Sequence, residues 1–367
     1  MDRDDENEIL TTMKKGKTWR FFGLGAKPEE LFETYARIEK LSDWCREFVN
    51  AGQRFESAAD TTEDSMVKTS NYLTAALYYH IGHLFVFEDT KEKIEAYRSI
   101  VRSYCKASRY FWRPTERVEY PFRGITFTAY FRKVENVKKA PCVVLLRGID
   151  ACREVELHHI SNFLLEKGFS TLAIDCPGQG EPRFAGLQMT PDFEQPVGAA
   201  LDYLQTRPDI DPDRIAILGQ SFGGYMAVWA ASLLERIKAC VFLGGFFSLE
   251  DFSFPRIATL NLQNCAKISD SEWNEHRRYY NLDRVIHKMI RPLLVINGSD
   301  DNVIPVSQSV KLYEKTPGPK DLKIYEGGVH CAYYERKQAL SYAADWLSAK
   351  LGYEGPAQTK KSRQGAT

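Results

Sequence analysis

The chain has 367 residues, with 49 basic and 49 acidic side chains and a formal net charge of zero. That balance leaves no electrostatic footprint for a nucleic acid or an anionic membrane surface, and no apolar stretch reaches the roughly 20 residues that span a bilayer. Met1 to Glu8 are too polar for a signal peptide, so the expectation is a cytoplasmic enzyme acting on a small molecule, with a homodimer left open.

Up to about residue 115, apolar residues recur at helical spacing: Leu31 to Leu41, Trp44 to Val49, Met66 to Phe87 and Ile94 to Tyr110. This predicts an N-terminal helical domain over 1–115. The run from Asn71 to Phe87 is apolar nearly all round, which a surface helix does not tolerate. It must be covered on most sides, either inside the helical domain or against the rest of the chain. In the second arrangement Tyr78, Tyr79, His80 or His83 would face a pocket, and Tyr79 and His80 are carried forward as candidate substrate contacts. His80 and His83 stand at i and i+3, but no third metal ligand accompanies them.

Over 116–354 short β-rich runs alternate with helical ones: Arg117 to Tyr120, Ile125 to Arg132, Cys142 to Leu146, Ser170 to Asp175, Arg214 to Gly219, Ala239 to Leu243, Pro292 to Asn297 and Lys323 to Tyr325. A hairpin-like first pair followed by strands separated by helices predicts an α/β fold, with a mostly parallel eight-stranded sheet and a site at its carboxyl edge. Residues 246–290 exceed what a single crossover needs and are long enough for a lid. The polar residues 355–367 are expected to be disordered. Eight cysteines are scattered without a C-x-x-C pair, several in or beside apolar strands, which predicts neither disulfides nor zinc.

The chemistry-bearing signal is Gly219-Gln-Ser-Phe-Gly223, where an apolar strand ends abruptly before a helix-like pattern. A serine on so sharp a turn is pushed out of the sheet, and this makes Ser221 the candidate nucleophile. Hydroxyl attack needs a base, and the base needs a carboxylate to fix its tautomer. Both follow at strand ends, an aspartate in Gly298-Ser-Asp-Asp-Asn-Val-Ile-Pro305 and His330 after Glu326-Gly-Gly-Val329. The order serine, acid, histidine is that of α/β-hydrolases. Asp301 fits Gly-x-x-Asp-x-x-Ile-Pro better than its neighbour Asp300, which is suited to tightening the turn. The oxyanion hole is assigned to the amides of Phe222 and Ile149, with Asp150 as the alternative to Ile149. Arg147 is expected to form a salt bridge, and Cys331, beside His330, to pack.

Asp175-Cys-Pro-Gly-Gln-Gly-Glu181, Gly219 to Gly224, Gly244-Gly-Phe246 and Tyr72-Leu-x-Ala-Ala-x-x-Tyr-His80 together resemble the 2,6-dihydroxypseudooxynicotine hydrolase group. The architecture is similar to that of the fungal polyketide-shortening hydrolases of the yellowish-green pigment type. The resemblance implies an α/β-hydrolase with a helical cap that cleaves a carbon–carbon bond next to a carbonyl, using Ser221, Asp301 and His330 without metal or organic cofactor. Phe246 and Glu250, from the stretch after the sixth strand, are further candidate substrate contacts. A pocket glutamate of the nicotine-degrading enzyme finds no secure counterpart in this stretch. A carboxylesterase, a lactonase and a hydrolase-fold cyclase are the alternatives, followed by a peptidase and a non-catalytic binding protein.

Overall fold

The computed structural model describes residues 3–16 and 18–355. Ahead of the first strand it contains helices α1 (Arg3–Gly16), α2 (Thr18–Gly23), α3 (Pro28–Arg37), α4 (Trp44–Thr61), α5 (Ser65–Leu84) and α6 (Lys91–Ser108). The Asp64 carboxylate caps α5 by accepting from the amides of Met66 and Val67, two of the donors that a helix start leaves orphaned. As its all-round apolar character requires, α5 is sandwiched between α4 and α6, with Tyr78 and Tyr79 fully buried. Helices α1 and α2 escaped the periodicity reading. In α1 the apolar stripe is only Ile9, Leu10 and Met13, too narrow to stand out among charged neighbours, and α2 is a six-residue segment.

The strands are β1 (Glu116–Phe122), β2 (Ile125–Arg132), β3 (Ala140–Leu146), β4 (Ser170–Ile174), β5 (Ile210–Gln220), β6 (Ala239–Leu243), β7 (Leu293–Gly298) and β8 (Lys320–Tyr325), in spatial order β1-β2-β4-β3-β5-β6-β7-β8. The first two ladders in that order are antiparallel and the rest parallel. Every residue of β3, β4, β6 and β7 is buried, as expected of strands covered by helices on both faces. The helices after β3 are α7 (His158–Glu166), α8 (Gly180–Phe184), α9 (Glu194–Gln205), α10 (Phe222–Leu233), α11 (Arg256–Ala266), α12 (Asp270–His276), α13 (Val306–Lys315) and α14 (Arg336–Lys350). Helices α11 and α12 lie in the long β6–β7 connection. This is the α/β-hydrolase fold with a helical N-terminal region. The tail expected over 355–367 lies, apart from Gly355, outside the described residues.

Contacts between the helical region and the sheet region are apolar and ionic at once. One hydrophobic cluster joins Phe21, Trp44 and Tyr78 to Cys152, Val155 and Ile257. Arg20 on α2 binds Asp150 at 2.8 Å and Glu156 at 2.6 Å, and Glu156 also meets His80 Nε2 at 3.2 Å. Glu156 is fully buried, and these partners outweigh the cost of burial and hold its carboxyl far below the usual range.

Candidate active site

Ser221 links the end of β5 to the start of α10 and holds φ +56° and ψ −125°, a conformation that L-residues rarely adopt. The turn is tight enough that a Cβ on Gly219 would come within 1.9 Å of the Gly223 carbonyl oxygen, so only glycine fits. The Ser221 amide donates to the Leu243 carbonyl at 2.8 Å, which ties the turn to the end of β6.

His330 Nε2 lies 2.9 Å from Ser221 Oγ, and His330 Nδ1 lies 2.8 Å from Asp301 Oδ2. The other oxygen of Asp301 accepts from the amides of Val303 and Ile304, both at 2.9 Å. Three fixed acceptor contacts orient this carboxylate, and its charge selects the ring tautomer with the proton on Nδ1. Nε2 is then free to accept from the hydroxyl. Asp300 instead accepts from the Ser299 hydroxyl and is exposed. Burial alone would push the His330 pKa down, but the neighbouring Cys331 sulfur and the Asp301 carboxylate outweigh it and hold the pKa above that of a free imidazole. Cys331 is buried, with Sγ directed at the Leu243 carbonyl.

Gly148 approaches the serine so closely that a Cβ there would sit 3.1 Å from Ser221 Cβ. This brings the backbone of Ile149 beside the hydroxyl. Among the described residues no group accepts from the amides of Ile149 or Phe222. Arg147 points away from the serine, with Nε on Asp175 Oδ1 at 2.5 Å and Nη1 on the Ala151 carbonyl. Asp175 also pairs with the buried Arg153 at 3.3 Å, so the loop after β3 rests on a set of paired buried charges.

Ser221, His330 and Ile149 open on a cavity of about 530 Å³. Its walls include Ile9 and Thr12 of α1, Trp19 and Arg20 of α2, residues 254–258 of the β6–β7 connection, and Tyr333 and Tyr334. Trp19 packs on Tyr333 and Tyr334 with ring centroids 5.1 and 5.8 Å apart. The volume suits an aromatic or mid-sized organic ligand.

The four other residues expected at the substrate do not line this cavity. Tyr79 is buried in the helical region, where its hydroxyl bonds Glu56 at 2.7 Å. His80 is buried, held by Glu156 at 3.2 Å. Phe246 stacks on Tyr225 at 4.7 Å within an aromatic cluster under α10. Glu250 is at the surface near Arg278 and Asn281. Sequence reasoning missed the aromatic wall. The signals were Trp19-Arg-Phe-Phe22, an aromatic group amid polar sequence, and Tyr333-Tyr334 just past His330.

The family described as "Esterase FrsA-like" matches residues 26–251, and the "Prolyl oligopeptidase family" matches residues 157–353, each more than half the chain. The 2,6-dihydropseudooxynicotine hydrolase of Paenarthrobacter nicotinovorans is 28% identical over 280 residues, 75% of either chain. An α/β hydrolase of Penicillium citrinum is 28% identical over 273 residues, covering 68% of this chain and 61% of that longer relative. The crystal structure of the 2,6-dihydroxy-pseudo-oxynicotine hydrolase superposes with a TM-score of 0.81 at 24% identity, over 91% of this chain and 96% of the other. No helix among the described residues is long and apolar enough to cross a membrane. With its fold and these matches, the chain is an enzyme of the α/β-hydrolase fold and belongs to the prolyl oligopeptidase and FrsA-like esterase families.

Proposed function

We propose that this enzyme cleaves a carbon–carbon bond adjacent to a carbonyl in an aromatic or polyketide-like small molecule, with Ser221 as nucleophile, His330 as base and acid, and Asp301 as the residue orienting His330. The observation that carries the reading is the unbroken hydrogen-bonded chain from Asp301 through His330 to Ser221, opening on an aromatic-walled cavity. Similarity to the nicotine-pathway hydrolase supports the choice of substrate class.

In this mechanism His330 Nε2 takes the Ser221 proton as Oγ attacks the carbonyl carbon. The amides of Ile149 and Phe222 donate to the oxyanion. Collapse of the tetrahedral intermediate breaks the bond to the adjacent carbon, and its electron pair spreads into a phenolate or enolate that only an acyl-phenol or β-dicarbonyl can supply. His330 returns the proton to this leaving group, then activates water to release the acyl chain from Ser221. Helices of residues 1–115 serve as a cap and residues 254–258 as part of a lid, excluding water from the carbanion.

A second reading, ester or lactone hydrolysis, is favoured by the FrsA-like esterase match, since the same groups expel an alkoxide equally well. Mass spectrometry of products from acyl-phenols, β-dicarbonyls and matched aryl esters separates the two. The proposal expects acyl-phenols or β-dicarbonyls to be cleaved with the higher kcat/KM, and Ser221→Ala to lower that value by roughly 10³-fold or more with Tm unchanged. Turnover confined to esters would favour the second reading, and an undiminished Ser221→Ala variant would end both.

A further inference from the structure

Residues 149–151 also wall a second cavity, of about 20 Å³, lined by residues of α5, α6, α8 and α11. Its polar lining comprises the cations Lys93, Arg147 and Arg183, the amide of Asn261, the neutral ring of His83, the Cys265 sulfur and one carboxylate, Asp150, which pairs with Arg20. Lys93 is 1% exposed and its Nζ bonds the Val86 carbonyl, with no carboxylate within ion-pair distance among the described residues. The nearby carboxylates serve other cations. Asp89 is taken by Arg183 and Lys267, Asp175 by Arg147 and Arg153, and Asp150 by Arg20.

Three buried nitrogens on this lining have no hydrogen-bond partner among the described residues: His83 Nδ1, Arg183 Nε and Asn261 Nδ2. Arg183 and Asn261 are 7% and 6% exposed, so bulk water does not satisfy them. Burial and the Arg183 charge push the Lys93 ammonium down to about 7, as expected of a cation short of counter-charge. A single water accepts two hydrogen bonds and carries no charge. A halide accepts from every donor around it and neutralises Lys93. The volume admits one particle of about that size, which excludes sulfate, phosphate and organic carboxylates.

We propose that this cavity is a specific site for a monatomic inorganic anion, chloride under ordinary conditions, held by Lys93, Arg183, Asn261 and His83 behind the backbone that carries the Ile149 amide. The shared wall gives the ion a structural role next to the candidate oxyanion hole.

Bromide-soaked crystals of the full chain test the site directly. An anomalous peak between Lys93, Arg183 and Asn261 is the expected result. In parallel, Tm is measured against chloride at ionic strength held constant with gluconate. Tm is expected to rise by several degrees and saturate, and the response to flatten in Lys93→Met. No peak at this cavity, together with identical wild-type Tm in chloride and gluconate, would mean a water occupies it and would overturn the proposal. Both readouts are independent of turnover, so they stand or fall separately from the assignment of Ser221.

Discussion

At the scale of single residues, the geometry around His330 makes a prediction about pH. Asp301, 2.8 Å away, stabilises the protonated ring, which cannot accept the serine proton. Activity is therefore low where His330 is charged and grows as pH rises through its elevated pKa. A kcat/KM profile is expected to climb from pH 6 and to level off only above the pKa of about 6.5 typical of a free imidazole. In Asp301→Asn the midpoint is expected to move to lower pH, while the plateau falls by roughly 10³-fold because the productive tautomer is no longer enforced. A profile unmoved by that substitution would exclude Asp301 as the partner. The residues of this chain of hydrogen bonds were legible in the sequence because each stands where a strand gives way to a turn of distinctive composition. Tyr79, His80, Phe246 and Glu250 were misplaced because spacing says that a side chain must be covered but not which neighbour covers it.

Among the elements, the order of legibility follows apolar content. The inner strands β3, β4, β6 and β7 were readable as continuous apolar runs, and α4 to α6 as periodic ones. Helix α1 was not, although it forms a wall of the cavity. Removing residues 1–16 takes Ile9 and Thr12 from the ligand's surroundings and leaves Arg20 and the hydrogen-bonded serine in place. KM is expected to rise about tenfold, the equivalent of about 1.4 kcal/mol of contact, with a much smaller change in kcat. Steady-state kinetics of the truncated enzyme decides this, and an unchanged KM would show that α1 makes no ligand contact.

The packing of α4 against α5 and α6 carries an acid sensitivity. Burial alone would push Glu56 up, but hydrogen bonds from Arg102, Tyr79 and Lys106 outweigh it and bring it down to about 2. A carboxyl with a depressed native pKa contributes stability above its unfolded pKa of 4.5, and that contribution is lost as pH falls toward 2. Wild-type Tm is expected to fall between pH 5 and pH 3 more steeply than that of Glu56→Gln, which starts lower at pH 7. Parallel slopes in scanning calorimetry would contradict this account.

For the whole molecule, the decisive feature is that one hydrophobic cluster and the Arg20–Glu156–His80 group both straddle the helical and sheet regions. Separating the regions would break both ion pairs of Glu156 and expose the shared apolar cluster to water. Thermal unfolding is accordingly expected as a single calorimetric transition, and two resolved transitions would show that the regions are independent. This coupling was not readable in advance, since Arg20 and Glu156 stand 136 positions apart and each looks like an ordinary surface charge.

The large cavity takes Ser221 and His330 from turns at strand ends and much of its enclosure from α1, α2 and residues 254–258. Those enclosing segments can diverge without disturbing the hydrogen-bonded Asp301, His330 and Ser221. Grafting residues 6–16 and 254–258 from a relative with a different diet is thus a route to new substrate preference that leaves the reaction itself intact.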